Sequence, residues 1–202
     1  MKKTILPMMV LCVALAGCVS VKAVDGMMPV DVGDEISVSP QVAWAAAGGL
    51  LTGGSSALWT VDGFGLNEMR FMTGIAAGDP LLRISNVERK DMIVYSTTML
   101  PDDVMEMVSG TLGKAGFRQV QTNALRPVPF GAATGFRFDL NYTTQDGLQM
   151  KGAALFAQRR NKLDVILYTA PAEYYFDRYM PTVEKVFTSV RVPDGPAMRA
   201  SN

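Results

Sequence analysis

The sequence lacks histidine altogether and has only two cysteines among its 202 residues. Without histidine, the chain cannot use Ser-His-Asp or Cys-His catalysis, histidine-ligated zinc or a histidine-ligated haem. Charge of either sign is not in excess, with 19 basic and 19 acidic residues, which disfavours nucleic-acid binding. After the first 18 residues, no apolar run approaches the roughly 20 residues of a membrane-spanning helix.

The first 18 residues have the order of a secretory signal peptide. Lys2 and Lys3 give a positive start, residues 5–16 are almost wholly apolar, and Leu15-Ala16-Gly17-Cys18 ends the run. About a dozen apolar residues are too few to span about 30 Å of hydrocarbon. We therefore expect residues 1–17 to direct export. A secretory signal without lipid attachment is the alternative.

The ending Leu15-Ala16-Gly17-Cys18 resembles the lipobox of bacterial lipoproteins. That resemblance implies cleavage before Cys18, diacylglycerol on its thiol and acylation of the new amino terminus. Val19 follows the cysteine, and by resemblance to the enterobacterial sorting rule this implies the periplasmic face of the outer membrane; the inner membrane is the alternative.

Lipid attachment at Cys18 would leave the mature chain without a thiol, because Cys12 departs with the signal peptide. Disulfides, thiolate nucleophiles and cysteine-ligated metals would then be excluded. Loss of Lys2 and Lys3 leaves 17 basic and 19 acidic residues. We expect no cofactor, no metal and no binding to nucleic acid or anionic headgroups.

The rest of the chain predicts one domain between two extensions. Residues 18–35 are interpreted as the acylated amino terminus and a tether, although the partial alternation of Val19, Val21 and Val24 also fits a first strand. Residues 36–192 form the domain and residues 193–202 a flexible tail. The predicted strands of the first half are 36–39, 42–44, 57–61 and 66–75, with a glycine-rich loop at 48–56 and a helix over 66–72 as the alternative.

The second half predicts an antiparallel meander between two helices. The first helix begins at Pro101 and ends at Gly116, with Val104, Met107, Val108 and Leu112 on one apolar stripe. The second spans 171–188, and Pro181 predicts a kink or a split. The predicted strands are 81–84, 92–97, 117–124, 134–143, 148–158 and 163–169, with a short last strand at Val190 and Val192. The fold class is therefore α+β, with both helices on one face of the sheet and the other face toward solvent.

The closing stretch has Ala170-Pro171, then Tyr175-Phe176, then residues 183–189. Its spacing and aromatic residues resemble those of PsbP-like domains of bacteria and plastids. The resemblance implies an α+β fold with helices packed against an antiparallel sheet. It implies no single chemistry.

Motifs that would carry chemistry are incomplete. Residues 110–115 lack the spacing of a phosphate-binding loop, residues 63–68 lack the third glycine of a dinucleotide fingerprint, and residues 139–144 lack the glycine of a calcium loop. Asp62 is the candidate carboxylate, because its aromatic neighbour Trp59 could desolvate it and raise its pKa. A turn aspartate before Gly63 is the simpler interpretation.

Aromatic residues crowd the start of the last helix. Tyr175 and Tyr179 share one face at helical spacing, which leaves Tyr174 and Phe176 for solvent or a partner. The sequence thus predicts a non-enzymatic interaction or accessory component of the cell envelope. Membrane lipid would be contacted through Cys18 and an envelope protein through Tyr174 and Phe176. The alternatives are a hydrolase of envelope glycans that uses carboxylates alone and a carrier of an apolar ligand.

Overall fold

A computed structural model describes residues 21–48 and 53–193. These residues form ten strands and two α-helices. The strands are β1 (Val21–Val24), β2 (Val30–Val32), β3 (Ile36–Val38), β4 (Trp44–Ala47), β5 (Ala57–Thr60), β6 (Glu68–Ala76), β7 (Arg118–Phe130), β8 (Ala133–Thr143), β9 (Gln149–Arg159) and β10 (Lys162–Pro171). The helices are α1 (Pro101–Lys114) and α2 (Tyr175–Thr188), and a short 3-10 turn covers Arg89–Asp91.

Eight strands form one antiparallel sheet in the order β1-β4-β5-β6-β10-β9-β8-β7, while β2 and β3 form a separate hairpin. The predicted meander is confirmed as β7 to β10. The two halves of the chain meet where β10 pairs with β6, from Lys162 opposite Ala76 to Thr169 opposite Glu68. The α+β fold class and the single domain are therefore confirmed.

The two helices lie on opposite faces of the sheet, which corrects the prediction that they share one face. Side chains alternate along β9, so that Leu155 packs in the cluster that contains α2, and Phe156 packs in the cluster that contains α1. Both faces of β9 and β10 are apolar, and each needs a helix to cover it. Neither face of these central strands is left to solvent.

Helix α1 begins and ends as its sequence predicts. Pro101 occupies the first helical position, and the Asp103 carboxylate accepts the backbone N–H of Leu100 at 2.8 Å. Gly116 follows the helix with φ of +95°, and the backbone N–H of Phe117 donates to the Leu112 carbonyl at 3.2 Å. The predicted apolar stripe is buried. Helix α1 thus covers its face of the sheet with both ends fixed.

The described part of the predicted tether belongs to the fold, which corrects the domain boundary at residue 36. Strand β1 is an edge strand, with Val21 opposite Ala47 and Val24 opposite Trp44. Strand β2 pairs with β3, and Val32 is buried in the core with Ile36. Val32 and Ile36 gain from burial, whereas β1 is held by pairing with β4, since Val21 is 54% exposed. Residues 1–20, including Cys18, and the tail 194–202 lie outside the described residues.

Four smaller predictions differ from the structure. The predicted strands at 81–84 and 92–97 contain a single bridge, between Pro80 and Val94. The predicted last strand is likewise one bridge, between Ser37 and Arg191. Helix α2 begins at Tyr175, not at residue 171, and continues through Pro181 without a split. Among the described residues, no helix is long and apolar enough to cross a membrane.

Candidate functional site

Helix α2 begins with a tight turn at Tyr174. Strand β10 ends at Pro171, and the chain must reverse within three residues to bring α2 back over the sheet. Tyr174 achieves this with φ of +69° and ψ of −59°, and the N–H of Tyr175 donates to the Glu173 carbonyl at 2.8 Å. This is the γ-turn with positive φ, which is rare and strained for a residue with a side chain.

The Tyr174 ring is exposed yet held in place. Its exposed fraction is 65%. The Arg178 guanidinium donates to the Tyr174 hydroxyl at 2.5 Å and lies 5.1 Å from the ring centroid. The Tyr175 ring packs edge-on at 5.1 Å. Rigid, amphipathic rings of this kind give large contact area at low entropic cost when a partner binds.

Phe176 points elsewhere than Tyr174. Its ring is partly buried 5.7 Å from that of Tyr168, and the Lys151 ammonium lies 5.6 Å from its centroid. Phe176 and Met180 line a cleft of about 350 Å³ between α2 and strands β8 and β9. The structure therefore does not place the two predicted partner residues side by side: Tyr174 is on the surface, and Phe176 is on the wall of a neighbouring cleft.

Other exposed apolar side chains lie at the same end of the sheet as Tyr174. At this end, which we call the Tyr174 end, β5, β8 and β10 finish and β6 and β9 begin. Phe64 and Leu66 in the β5–β6 turn are 38% and 37% exposed, and Leu148 in the β8–β9 turn is 45% exposed. The sequence analysis missed these three. Their exposure could have been predicted from the sequence, because large apolar side chains in glycine-containing turns lie away from the core.

Asp62 has a structural role at this end. Its carboxylate accepts the Asn67 amide at 2.8 Å, and the Asn67 carbonyl oxygen accepts the Thr60 hydroxyl and the Val61 N–H at 2.9 and 2.8 Å. Asp62 also forms a hydrogen bond with the Tyr179 hydroxyl of α2. Burial, and after it this bond to Asp62, raise the pKa of Tyr179 to about 12. Asp62 thus ties the β5–β6 turn to α2.

A buried ion pair marks the opposite end of the sheet. Arg159 donates to the Asp164 carboxylate at 2.6 Å, and the backbone N–H of Gly74 donates to the same side chain at 2.8 Å. Burial raises the pKa of Asp164 in spite of both donors. The site fixes the bulge at which β10 and β6 change register. Because the pair holds this bulge and Arg159 also donates to the Glu35 carbonyl at 3.3 Å, we assign it to the fold.

A cavity of about 300 Å³ lies on the α1 face near the Tyr174 end. Its polar floor contains Tyr142 and Thr169, whose side chains are hydrogen-bonded. Burial raises the pKa of Tyr142 to about 12, so its hydroxyl stays protonated at neutral pH. Arg70 pairs with Glu68 at 3.3 Å beside them, and Arg83 stands at the rim.

The described cavities do not bring two carboxylates together. Asp79, Glu68 and Asp139 each line a different cavity, of about 210, 300 and 350 Å³, and a fourth of about 440 Å³ has no carboxylate in its lining. Glycoside hydrolysis needs a pair about 5–10 Å apart across one cleft. In residues 21–48 and 53–193, no three acidic, cysteine or histidine side chains converge to hold a metal.

Comparison with known proteins identifies a fold. No protein-family model and no curated protein sequence matches the chain. The solution structure of cyanobacterial PsbP (CyanoP) from Synechocystis sp. PCC 6803 is similar, with a TM-score of 0.55 over 88% of this chain and 95% of that one. The two sequences are 14% identical. The predicted resemblance to PsbP-like domains is therefore confirmed for the fold, and at this identity for the fold alone.

Proposed function

We propose that this chain is a lipid-anchored, non-enzymatic component of the bacterial envelope that binds a protein partner through its Tyr174 end. Tyr174 carries the proposal: a strained backbone conformation presents a 65% exposed aromatic ring in a fixed orientation. Strain of this kind persists where the surrounding structure enforces it, and it concentrates at binding and switching sites. Phe64, Leu66 and Leu148 extend the exposed apolar surface around the same end.

The anchor is Cys18, with the periplasmic face of the outer membrane as its location. Three peptide units separate Cys18 from Val21 in β1, so the acylated residue lies within about 10 Å of the sheet. Strand β1 runs toward the Tyr174 end, because Val24 pairs with Trp44 and Ala45 pairs with Thr60, the last residue of β5. Val21 is level with Arg70, because Val21 pairs with Ala47, Ala47 with Leu58 and Leu58 with Arg70. The anchored amino terminus therefore joins the edge strand two residues from the level of Glu68, where β6 begins at the Tyr174 end.

The partner contacts a surface that is largely apolar. The Lys151 ammonium lies 3.6 Å from the Asp177 carboxylate, whereas Arg178 donates to the uncharged Tyr174 hydroxyl and keeps its positive charge beside the ring. A partner that inserts apolar or aromatic side chains around Tyr174 and beside Phe176 fits this arrangement better than a strongly charged one. Such central aromatic contacts carry most of the energy in protein interfaces.

Crosslinking in intact cells tests the proposal. The full-length protein is tagged at its carboxyl terminus, crosslinked in the envelope and purified, and its crosslinked species are compared between variants. We expect Tyr174→Ser to lose a specific crosslinked species. Val94→Ser is the matched control, because Val94 is 37% exposed and belongs to the loop at the opposite end. An unchanged pattern in Tyr174→Ser, with the protein in the membrane fraction, would overturn the partner surface.

A further inference from the structure

The residues that line the cavity on the α1 face have no part in the proposed interaction with a protein partner. It is enclosed by the sheet on one side, by the carboxyl-terminal end of α1 on the second and by residues 82–85 on the third. Its apolar wall is formed by Leu82, Ile84, Leu112, Phe117 and Leu167. At about 300 Å³ it has the volume of about ten water molecules in the liquid, which is enough for a molecule of about ten non-hydrogen atoms.

Polar groups converge at one place in this otherwise apolar cavity. Glu68 and Arg70 on β6 are side by side with Leu167 and Thr169 on β10, because Glu68 pairs with Thr169 and Arg70 with Leu167. The Tyr142 hydroxyl joins them through Thr169, and its residue is only 4% exposed. A small group of polar side chains at the end of an apolar wall is the usual composition of a small-molecule site.

The charge of the lining is positive. Glu68 is compensated by Arg70 at 3.3 Å, with their side chains 24% and 19% exposed. Arg83 adds a second guanidinium at the rim, where its backbone N–H is bonded to the Gly53 carbonyl at 2.9 Å. Within the described part of the chain, Glu68 is the sole acidic side chain in this lining. The excess of one positive charge beside an apolar wall favours an amphipathic anion.

We propose that this cavity binds a small amphipathic carboxylate, such as a medium-chain fatty acid. Its hydrocarbon part lies against Leu112, Phe117 and Leu167. Its carboxylate lies at the Arg83 guanidinium on the rim, since Arg70 already donates to Glu68 and Ser55. Guanidinium groups match carboxylates through two parallel hydrogen bonds. A neutral or cationic molecule of the same shape would gain the apolar contacts without the charge contacts, which makes the head group the basis of selectivity.

Binding of octanoate and of octylammonium by calorimetry tests this proposal. The protein is the whole mature chain, residues 18–202, with Cys18→Ser so that no acyl chain or detergent competes. We expect octanoate to bind one site and octylammonium to bind at least about tenfold more weakly, because the ammonium group is repelled by the Arg83 guanidinium. Equal affinity for the two probes, or no binding of octanoate, would overturn the proposal. Nonstoichiometric octanoate uptake would also contradict it.

Variants locate the site. Ala115→Phe fills the cavity from its α1 side, where Ala115 has ordinary helical φ and ψ of −73° and −2°; we expect it to abolish octanoate binding. Arg83→Gln removes the rim charge from an exposed residue and is expected to weaken octanoate about threefold to fivefold. Arg191→Gln removes an exposed guanidinium outside the cavity and should leave the affinity unchanged. Full affinity in both Ala115→Phe and Arg83→Gln would place the ligand elsewhere; if Ala115→Phe does not fold, Arg83→Gln decides alone.

Discussion

The backbone N–H of Tyr175 donates to the carbonyl of Glu173 at 2.8 Å, and the bond closes a turn in which Tyr174 takes a positive φ. A glycine would adopt this conformation without steric cost, yet the chain has a tyrosine here. The strain amounts to about 1–3 kcal/mol, which the packing of β10 and α2 must offset. Keeping a strained aromatic residue at an exposed position is the main reason to regard this turn as functional.

The strain at Tyr174 can be measured by comparing two truncations. Tyr174→Gly and Tyr174→Ala both remove the exposed ring and its bond to Arg178, but only glycine relieves the backbone. We expect Tyr174→Gly to be about 1–2 kcal/mol more stable than Tyr174→Ala in urea unfolding. Both should lose the crosslinked partner. Equal stability of the two variants would mean that the turn holds no strain.

Because the protein has buried tyrosines with raised pKa values, we expect it to lose stability in alkaline solution. Burial raises the pKa of Tyr142 from about 10 to about 12, so the folded state holds this proton more tightly than the unfolded state. The resulting stabilisation is complete below pH 10 and is lost as the pH rises through 12; its size is on the order of 2–3 kcal/mol. Tyr142→Phe should lose less stability than the wild type between these pH values, as followed by urea unfolding at each pH.

The variant also loses the bond to Thr169 at every pH, so its stability at neutral pH is the reference for the comparison. Only the change with pH reports the hydroxyl's ionisation. Burial raises the pKa of Tyr168 and Tyr179 as well, and alkaline unfolding will persist in the variant. Parallel loss of stability in both proteins would show that Tyr142 ionises as easily in the folded state as in the unfolded one.

Local patterns predicted the helices and strands between residues 101 and 188 closely. The apolar stripe of α1 and the Asp146-Gly147 turn between β8 and β9 are signals within a few residues of sequence. Pairing between distant segments was harder. Strand β1 gains its partners from β4, about twenty residues later, and four residues of weak alternation do not specify such a pairing.

The side of the sheet on which each helix lies was predicted wrongly, although the sequence carries a signal. Residues 152–157 and 165–168 are nearly continuous apolar runs, which is typical of strands covered on both faces. The alternation of apolar and polar residues in β8 alone favoured the prediction that one face of the sheet is exposed to solvent. The candidate site was predictable only in part: Tyr174 follows from helical crowding, whereas its γ-turn and the cavity near Tyr142 depend on tertiary packing.

We expect the buried side-chain amide of Asn67 to contribute strongly to the free energy of unfolding. It is 1% exposed, and its carbonyl oxygen accepts the Thr60 hydroxyl and the Val61 N–H. Asn67→Ala leaves these donors without their acceptor, and we expect a loss of about 2–3 kcal/mol in urea unfolding. Asn86→Ala, at an exposed loop position, should change stability by less than about 0.5 kcal/mol. If Asn67→Ala also changes stability by less than about 0.5 kcal/mol, water replaces the amide as the acceptor of these hydrogen bonds.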